Sequence, residues 1–164
     1  MHNRKFHLPI EELLKKVKDG KLEIKDAIHK LKCLPYEDLG FAKTDGHRIL
    51  RQGFPEVIFC AGKTTEHIIK IIGSLRKSGN VILATRVEPK VFLKIKKKYP
   101  NVKYNKLARA VSIQKTKIKK VGNILVVSAG TADIPVAEEA VFTAECMGSN
   151  VERLYDVGVA GIHR

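Results

Sequence analysis

The sequence has no tryptophan, three cysteines, and far fewer acidic than basic residues. No apolar run approaches the roughly 18 residues that a membrane-spanning helix needs, and no apolar signal core follows the basic N-terminus. The cysteines are odd in number and lack CxxC spacing, which argues against a disulfide framework and a structural zinc site. These absences exclude a membrane protein, a secreted disulfide-rich protein and a collagen, and they indicate a reducing, cytosolic compartment.

What is present is enough for a core, because 44% of the 164 residues are hydrophobic. The charge, however, is divided unevenly. Residues 1–120 contain 29 of the 31 basic and 11 of the 17 acidic residues, a net charge of +18, and residues 121–164 carry −4. So abrupt a change predicts two structural units with a boundary near residue 120.

The basic excess of the first unit has three interpretations that the sequence leaves open. It is a solvated lysine-rich surface, a nucleic-acid interface, or the binding surface of an anionic small ligand such as a nucleotide. Nucleic acid is the least favoured of these, because a stacking platform needs aromatic residues and they make up only 6% of the chain.

Hydrophobic periodicity predicts a helical hairpin in residues 1–40 and an α/β part in residues 41–120. The expected helices cover residues 10–18, 24–34, 64–77 and 88–99. The expected strands cover residues 57–60, 81–84, 102–104 and 110–113. Residues 44–53 are interpreted as an irregular polar segment. Thr64 or Thr65 would cap the third helix, and Val91, Leu93 and Ile95 would face inward from the fourth.

The second unit, residues 121–164, predicts one βαβ element with parallel strands: a strand at 124–128, a helix at 134–147 and a strand at 151–155. Two strands are too few to close a parallel-sheet domain. We therefore expect a domain that is cut short in this chain or completed by other chains. The whole chain is assigned to the α/β class.

A first candidate site is the segment SAGTADIPVAEEA at residues 128–140. A strand ends there, small residues permit a tight turn, and a helix begins with Asp133 as its predicted N-cap. Polar and backbone groups of Ser128, Gly130 and Thr131 could bind a ligand, and Asp133 suits ribose hydroxyls. The plain structural interpretation is helix capping alone. The acidic side chains, Asp133 and two glutamates that follow it, would repel a phosphate.

A second candidate is DVGVAGIHR at residues 156–164, which follows the second strand of the same element. Because the carboxyl ends of parallel strands meet at one edge of a sheet, this loop should lie beside the first one. His163 could move a proton near neutral pH, although a single histidine is also a common structural residue. The other candidate contacts are Asp156, Gly158, Gly161 and, for a phosphate, Arg164.

A third candidate is TDGHRILRQGFPEVIFCAGKT at residues 44–64, where many charged groups lie among glycines and prolines. Little periodicity and high charge indicate a site loop, but pairing of the carboxylates with the arginines for structure alone is the open alternative. The charged candidates are Asp45, Arg48, Arg51, Glu56, Lys63 and, after the next strand, Arg86. The cysteines, Cys33, Cys60 and Cys146, have no partner base at a readable spacing and are expected to be inert.

Three segments together resemble the LarB family, which makes the nickel-pincer cofactor: DGHRILRQGFPEVIFCAGKT, SAGTADIPVAEEA and ERLYDVGVAGIHR. The second unit is also similar to the PurE (aminoimidazole ribonucleotide carboxylase) fold. The resemblance implies that residues 121–164 begin a PurE-like, flavodoxin-like nucleotide-binding domain. It also implies that Gly130, Asp133 and Arg164 contact ribose and phosphate and that His163 is the catalytic histidine.

The resemblance further implies an enzyme that carboxylates the pyridinium ring of nicotinic acid adenine dinucleotide with carbon dioxide or bicarbonate. The same enzyme would hydrolyse the phosphoanhydride and release AMP. No tightly bound cofactor is implied, although Mg²⁺ could assist at the substrate phosphates, and the PurE-like part implies a homo-oligomer. Membrane and nucleic-acid partners are not implied. The alternative activity is the purine carboxylase reaction.

One departure from the family concerns the nucleophile. The attacking cysteine of the family is expected in a part of its chains beyond residue 164, and the three cysteines present here do not match it. The chain alone is therefore expected to be inactive as a carboxylase.

Overall fold

The computed structural model describes residues 8–32, 36–46, 48, 54–78, 81–115, 118–158 and 161. Its helices are α1 (Leu8–Lys18), α2 (Ile24–Lys32), α3 (Thr65–Ser78), α4 (Pro89–Lys98) and α5 (Ile134–Cys146). The strands are β1 (Glu37–Asp38), β2 (Lys43–Thr44), β3 (Val57–Phe59), β4 (Val81–Thr85), β5 (Lys103–Asn105), β6 (Ala110–Gln114), β7 (Val121–Val127) and β8 (Ser149–Leu154). The predicted α/β class is confirmed.

The first two helices form the predicted hairpin, because α1 packs against α2. Gly20 follows α1 with φ +67°, a left-handed conformation that ends a helix at little cost when the residue is glycine. The end expected for α2 near Pro35 lies outside the described residues.

A small antiparallel hairpin of β1 and β2 was not predicted; residue 44 had been assigned to an irregular segment. A polar network holds this hairpin on α3. The Thr44 and Ser74 hydroxyls lie 2.6 Å apart, Ser74 donates to the Glu37 carboxylate at 2.6 Å, and Lys77 binds the other oxygen of Glu37 at 2.7 Å. These short polar strands gave no hydrophobic alternation, so side chains of α3, and not the local sequence, specify their place.

The core of the first unit is a four-stranded sheet in the order β3-β4-β6-β5. β3 and β4 are parallel and joined by α3, whereas β6 pairs antiparallel with both β4 and β5. Thr64 caps α3 as expected, since its hydroxyl accepts a hydrogen bond from the His67 amide at 3.2 Å. One face of this sheet packs on α3 and α4 through a cluster that includes Ile58, Ile68, Ile72, Ile82, Ile95 and Val111.

The inward position predicted for Leu93 is wrong, because its side chain is 59% exposed. Val91 and Ile95 are buried as predicted. The three residues were chosen at every second position, which is a strand period. A helix of 3.6 residues per turn places residues 91 and 95 on one face and residue 93 on the opposite one.

The second unit is the predicted βαβ element: β7 and β8 are parallel and α5 connects them. α5 packs against both of these strands and also against β4 and β6 of the four-stranded sheet. One helix therefore lies between the two sheets and joins the two units. Among the described helices, none is both long enough and apolar enough to cross a membrane.

The close packing of Gly148 between α5 and β8 gives a first test. Its φ is +92°, and a Cβ there would lie 3.0 Å from Cγ2 of Ile118 and 3.4 Å from the Lys119 carbonyl. Gly148→Ala should therefore lower the free energy of unfolding by the left-handed backbone cost, about 1–2 kcal/mol, plus about 1 kcal/mol or more for the steric contact. Urea denaturation measures the change.

Gly122→Ala is the matched control, because Gly122 has φ +68° but no atom within 4 Å of the added Cβ. Gly122→Ala should lower the free energy of unfolding by the cost of the left-handed backbone alone. Equal losses in the two variants would contradict the close packing at Gly148.

Candidate functional site

The loops that follow β7 and β8 meet at one edge of the small parallel sheet. The Ser128 amide donates to the Leu154 carbonyl at 3.0 Å, and the Val157 amide donates to the Ser128 carbonyl at 3.2 Å. These two hydrogen bonds join the loops directly. We call residues 128–133 and 155–158 the β7–β8 rim; it unites the described part of two segments that the sequence placed together.

Residues 130–133 form a closed turn on this rim. The Asp133 amide donates to the Gly130 carbonyl at 3.0 Å, and the Asp133 carboxylate accepts from the Gly130 amide at 3.3 Å. Asp133 does stand at the N-cap position of α5, but its side chain makes no capping hydrogen bond to that helix. The predicted cap is therefore corrected: the carboxylate points back into the turn because a 3-10 turn at Thr131–Asp133 precedes the helix.

Ser128 stands at the base of the rim with a side chain that lacks a partner. The residue is 8% exposed, and its hydroxyl oxygen has no hydrogen-bond partner among the described residues. An unpaired buried hydroxyl is costly, so Ser128 is a polar position directly beneath the surface of the rim that calls for an explanation. Thr131 and Asp133, by contrast, are exposed to solvent, and one Asp133 oxygen also accepts from the Gly130 amide.

The second loop of the rim turns sharply after β8. Asp156 has φ +59°, Gly158 has φ +84° and Gly161 has φ +146°. Aspartate is one of the few residues with a side chain that adopts a left-handed conformation at moderate cost. The predicted catalytic His163 and the predicted phosphate ligand Arg164 lie outside the described residues.

Behind the rim, Glu138 of α5 connects the two sheets. It is 7% exposed, and one of its oxygens accepts from Asn105 of β5 at 2.7 Å. The other oxygen accepts from Arg153 and Tyr155 of the second unit, each at 2.9 Å. Burial raises the pKa of Glu138, but these hydrogen bonds and the charge of Arg153 outweigh it, so the pKa lies below its ordinary value.

The next residue of α5 makes a second link between the units. Glu139 accepts from the Arg86 guanidinium at 2.9 Å, at the point where Arg86 follows β4. Two of the three acidic groups expected to repel a phosphate are thus paired with arginines. The repulsion that these acidic side chains would exert on an anionic ligand at the β7–β8 rim is accordingly reduced.

The charged residues of the 44–64 segment are separated by β3. Asp45 and Glu56 lie before that strand, where the Asp45 amide donates to Glu56 at 2.6 Å. Burial raises the pKa of Glu56, and the positive charge of the nearby Arg48 offsets this only in part. Lys63 and Arg86 lie beyond the other end of the strands, and Arg51 is outside the described residues. The segment is therefore not one cluster.

The described cysteines are poor nucleophiles. Burial raises the pKa of Cys60 to about 11, and burial is also the main cause of a raised pKa for Cys146. Cys33 is outside the described residues. Within the described part of the chain, no group of three or more His, Cys, Asp or Glu side chains is arranged to hold a metal ion.

Comparison with known proteins connects this architecture to a family. Residues 36–116 match the model of the LarB/PurE-like N-terminal domain. These residues therefore form a LarB/PurE-like N-terminal domain. The predicted LarB resemblance is thereby confirmed through the first of its three segments, the one that lies within the matched residues. The LarB-type domain includes the hairpin of β1 and β2, the four-stranded sheet, and the residues Asp45, Glu56, Lys63 and Arg86.

A relative extends the similarity beyond that domain. An uncharacterized protein of Methanocaldococcus jannaschii is 37% identical over 163 residues, which cover 94% of this chain and 64% of the relative. The chain thus spans just under two thirds of the length of the relative it matches. The similarity includes residues on both sides of the joint between the LarB-type domain and the β7–β8 rim.

The network around Glu138, which we call the joint, was not predicted from the sequence. Asn105 and Arg153 are separated from Glu138 by 33 and 15 residues, and no local pattern links them. The one available signal was the polar Glu138 on the apolar face of a helix, since Ala137 and Val141 beside it are buried. A buried carboxylate needs partners, but the sequence could not say which.

The lowered pKa of Glu138 predicts how acid affects stability. A carboxylate with a depressed folded-state pKa stabilises the fold above its unfolded value of 4.5, and this stabilisation is lost as the pH falls through the folded-state pKa. Glu138→Gln should therefore lower the free energy of unfolding at pH 7 by about 2–3 kcal/mol. Below pH 4.5 the difference from the unsubstituted protein should shrink, as measured by urea denaturation across pH.

The exposed Glu152 of β8 provides the control, because Glu152→Gln removes the same charge from a solvated position. It should change stability by less than about 0.5 kcal/mol. A loss of unfolding free energy in Glu138→Gln that stays constant across this pH range would argue against an ionised Glu138 in the network.

Proposed function

We propose that this chain binds nicotinic acid adenine dinucleotide at the β7–β8 rim, as the nucleotide-binding part of a LarB-type enzyme. That enzyme would carboxylate the pyridinium ring with carbon dioxide or bicarbonate and hydrolyse the phosphoanhydride to release AMP. The proposal rests on one observation. The loops after β7 and β8 are hydrogen-bonded to each other through the backbone of Ser128, next to a LarB-type domain. Purine carboxylation is the alternative, since the matching family model is also PurE-like.

The rim offers the groups that a sugar-phosphate requires. The carboxylate of Asp133 is exposed and suits ribose hydroxyls, which donate hydrogen bonds to acidic residues in other nucleotide folds. Beneath this surface the buried hydroxyl of Ser128 has no hydrogen-bond partner among the described residues, so the base of the rim is polar. Arg86 reaches the first turns of α5 from the LarB-type domain and neutralises Glu139 there, which removes one source of repulsion for an anion.

The surrounding charge also favours an anionic substrate. The residues up to 120 carry a net charge of +18, and the two glutamates nearest the rim are paired with arginines. A positive field raises the local concentration of an anion and its association rate. Any Mg²⁺ in the reaction would be held largely by the substrate phosphates, which is the usual arrangement for this ion.

Isothermal titration with nicotinic acid adenine dinucleotide tests the binding site. Asp133→Asn should weaken binding about tenfold, because it removes the charge that strengthens hydrogen bonds from ribose hydroxyls. The amide oxygen can still accept from Gly130, so the turn should persist. Glu152→Gln is the charge control and should bind like the unsubstituted chain.

A lack of binding heat with the unsubstituted protein would refute the proposed ligand. Titration with aminoimidazole ribonucleotide in parallel distinguishes the purine alternative, which requires tighter binding of that compound than of the dinucleotide.

The chain alone is predicted to bind without carboxylating the ring. An electron-poor pyridinium must first gain a nucleophile before it can attack carbon dioxide, and the two described cysteines have raised pKa values. Incubation with the dinucleotide and labelled bicarbonate should leave the label in the inorganic pool. Incorporation that Cys60→Ser abolishes would show that the thiol assignment is wrong.

A further inference from the structure

The edge strand β3 leaves an aromatic ring uncovered. Its central residue, Ile58, is 3% exposed and belongs to the core between the sheet and α3. Because successive side chains in a strand point to opposite faces, Val57 and Phe59 lie on the other face of the sheet. Phe59 is 56% exposed there.

That other face is the one on which α5 lies. Val57 pairs with Leu83 of β4, and Leu83 pairs with Ser112 of β6, so these residues share a face. The Ser112 side chain lies beside the Cys146 thiol of α5 and acts to lower its pKa. α5 packs on β4 and β6, where Leu83 is fully buried, whereas Val57 and Phe59 of β3 stay exposed among the described residues. The exposed ring of Phe59 therefore lies at the uncovered edge of this face, and we call it the shelf.

One cation lies beside this shelf, and a second, which is ion-paired, follows the neighbouring strand. The Lys63 ammonium lies 6.0 Å from the centre of the Phe59 ring and donates to the Phe59 carbonyl at 2.7 Å. On the neighbouring strand, Phe59 pairs with Thr85, and Arg86 follows with its bond to Glu139. An exposed aromatic ring beside positive groups is the usual arrangement for stacking a base and binding its phosphate.

The shelf and the β7–β8 rim are connected through one ion pair. Arg86 follows β4, the strand that pairs with β3, and its guanidinium binds Glu139 in the second turn of α5. Glu139 lies about 9 Å along the helix axis from Asp133, and adjacent strands lie about 5 Å apart. An extended ligand such as a dinucleotide could therefore run past the first turns of α5 from one to the other.

We propose that Phe59 is the stacking platform for the adenine ring of the dinucleotide and that Lys63 binds the adjacent phosphate. This inference rests on the proposed function and names the subsite for one half of its substrate. Adenine is the better occupant because it offers a large, uncharged aromatic face for stacking, whereas the nicotinate ring is smaller and carries both a pyridinium charge and a carboxylate.

Titration calorimetry with AMP, adenosine, nicotinic acid mononucleotide and the complete dinucleotide tests this subsite. Phe59→Leu should weaken AMP and dinucleotide binding about tenfold or more and leave the mononucleotide affinity unchanged. Phe59→Tyr should restore binding, because it keeps the aromatic face. Lys63→Met should weaken AMP but not adenosine, which has no phosphate.

Phe54→Leu is the matched control, since Phe54 is also 56% exposed but precedes β3. It should bind every ligand normally, and all variants should keep the unfolding midpoint of the parent, because both rings are solvent-exposed. Unchanged AMP and dinucleotide binding in Phe59→Leu would overturn the platform while leaving the proposed function intact. AMP binding that depends on Phe59, without any dinucleotide binding, would support the platform and refute the proposed function. Binding of neither ligand to the unsubstituted chain would refute both.

Discussion

The carboxylate of Glu138 joins two sheets that share no strand pairing in the described part of the chain. One oxygen binds Asn105 of the four-stranded sheet, and the other binds Arg153 and Tyr155 of the βαβ element. Breaking such a buried, charge-assisted network is costly because the remaining partners lose their hydrogen bonds. The network also fixes which way α5 is turned, and α5 begins at the β7–β8 rim. The geometry of the candidate site therefore depends on this joint.

A second consequence of the joint is that the ends of two different parallel strand pairs lie on the same side. Arg86 follows β4, and its partner Glu139 lies in the second turn of α5, close to the loop that follows β7. Ligands of parallel sheets bind beyond the carboxyl ends of the strands. Here one helix brings two such edges together, so groups from the LarB-type domain and from the βαβ element can meet on one ligand.

Periodicity predicted the elements that bury apolar side chains. The spacing of Ile68, Ile72 and Leu75 located α3, and the apolar run before Ser128 located β7. The hairpin of β1 and β2 was missed because its order comes from Glu37 bonding to Ser74 and Lys77, residues that are 37 and 40 positions away. The union of the rim loops followed from a rule of sheet geometry and was predictable. The partners of Glu138 and the exposure of Phe59 depend on which helix covers which strand, and a single sequence does not contain that information in readable form.

The uneven distribution of charge along the chain also has a consequence for how the two units pack. The acidic second unit places Glu138 and Glu139 on α5, and the basic first unit supplies Arg86 to one of them. Opposite net charges thus favour docking of the two units. This pairing neutralises little of the first unit's net positive charge, since most of its described lysines remain exposed to solvent. The acidic residues of α5 consequently serve the joint, and the surplus of positive charge remains available to an anionic ligand. The repulsion of anions that the sequence predicts at the start of this helix is therefore reduced within the fold, because Glu138 and Glu139 are paired with arginines.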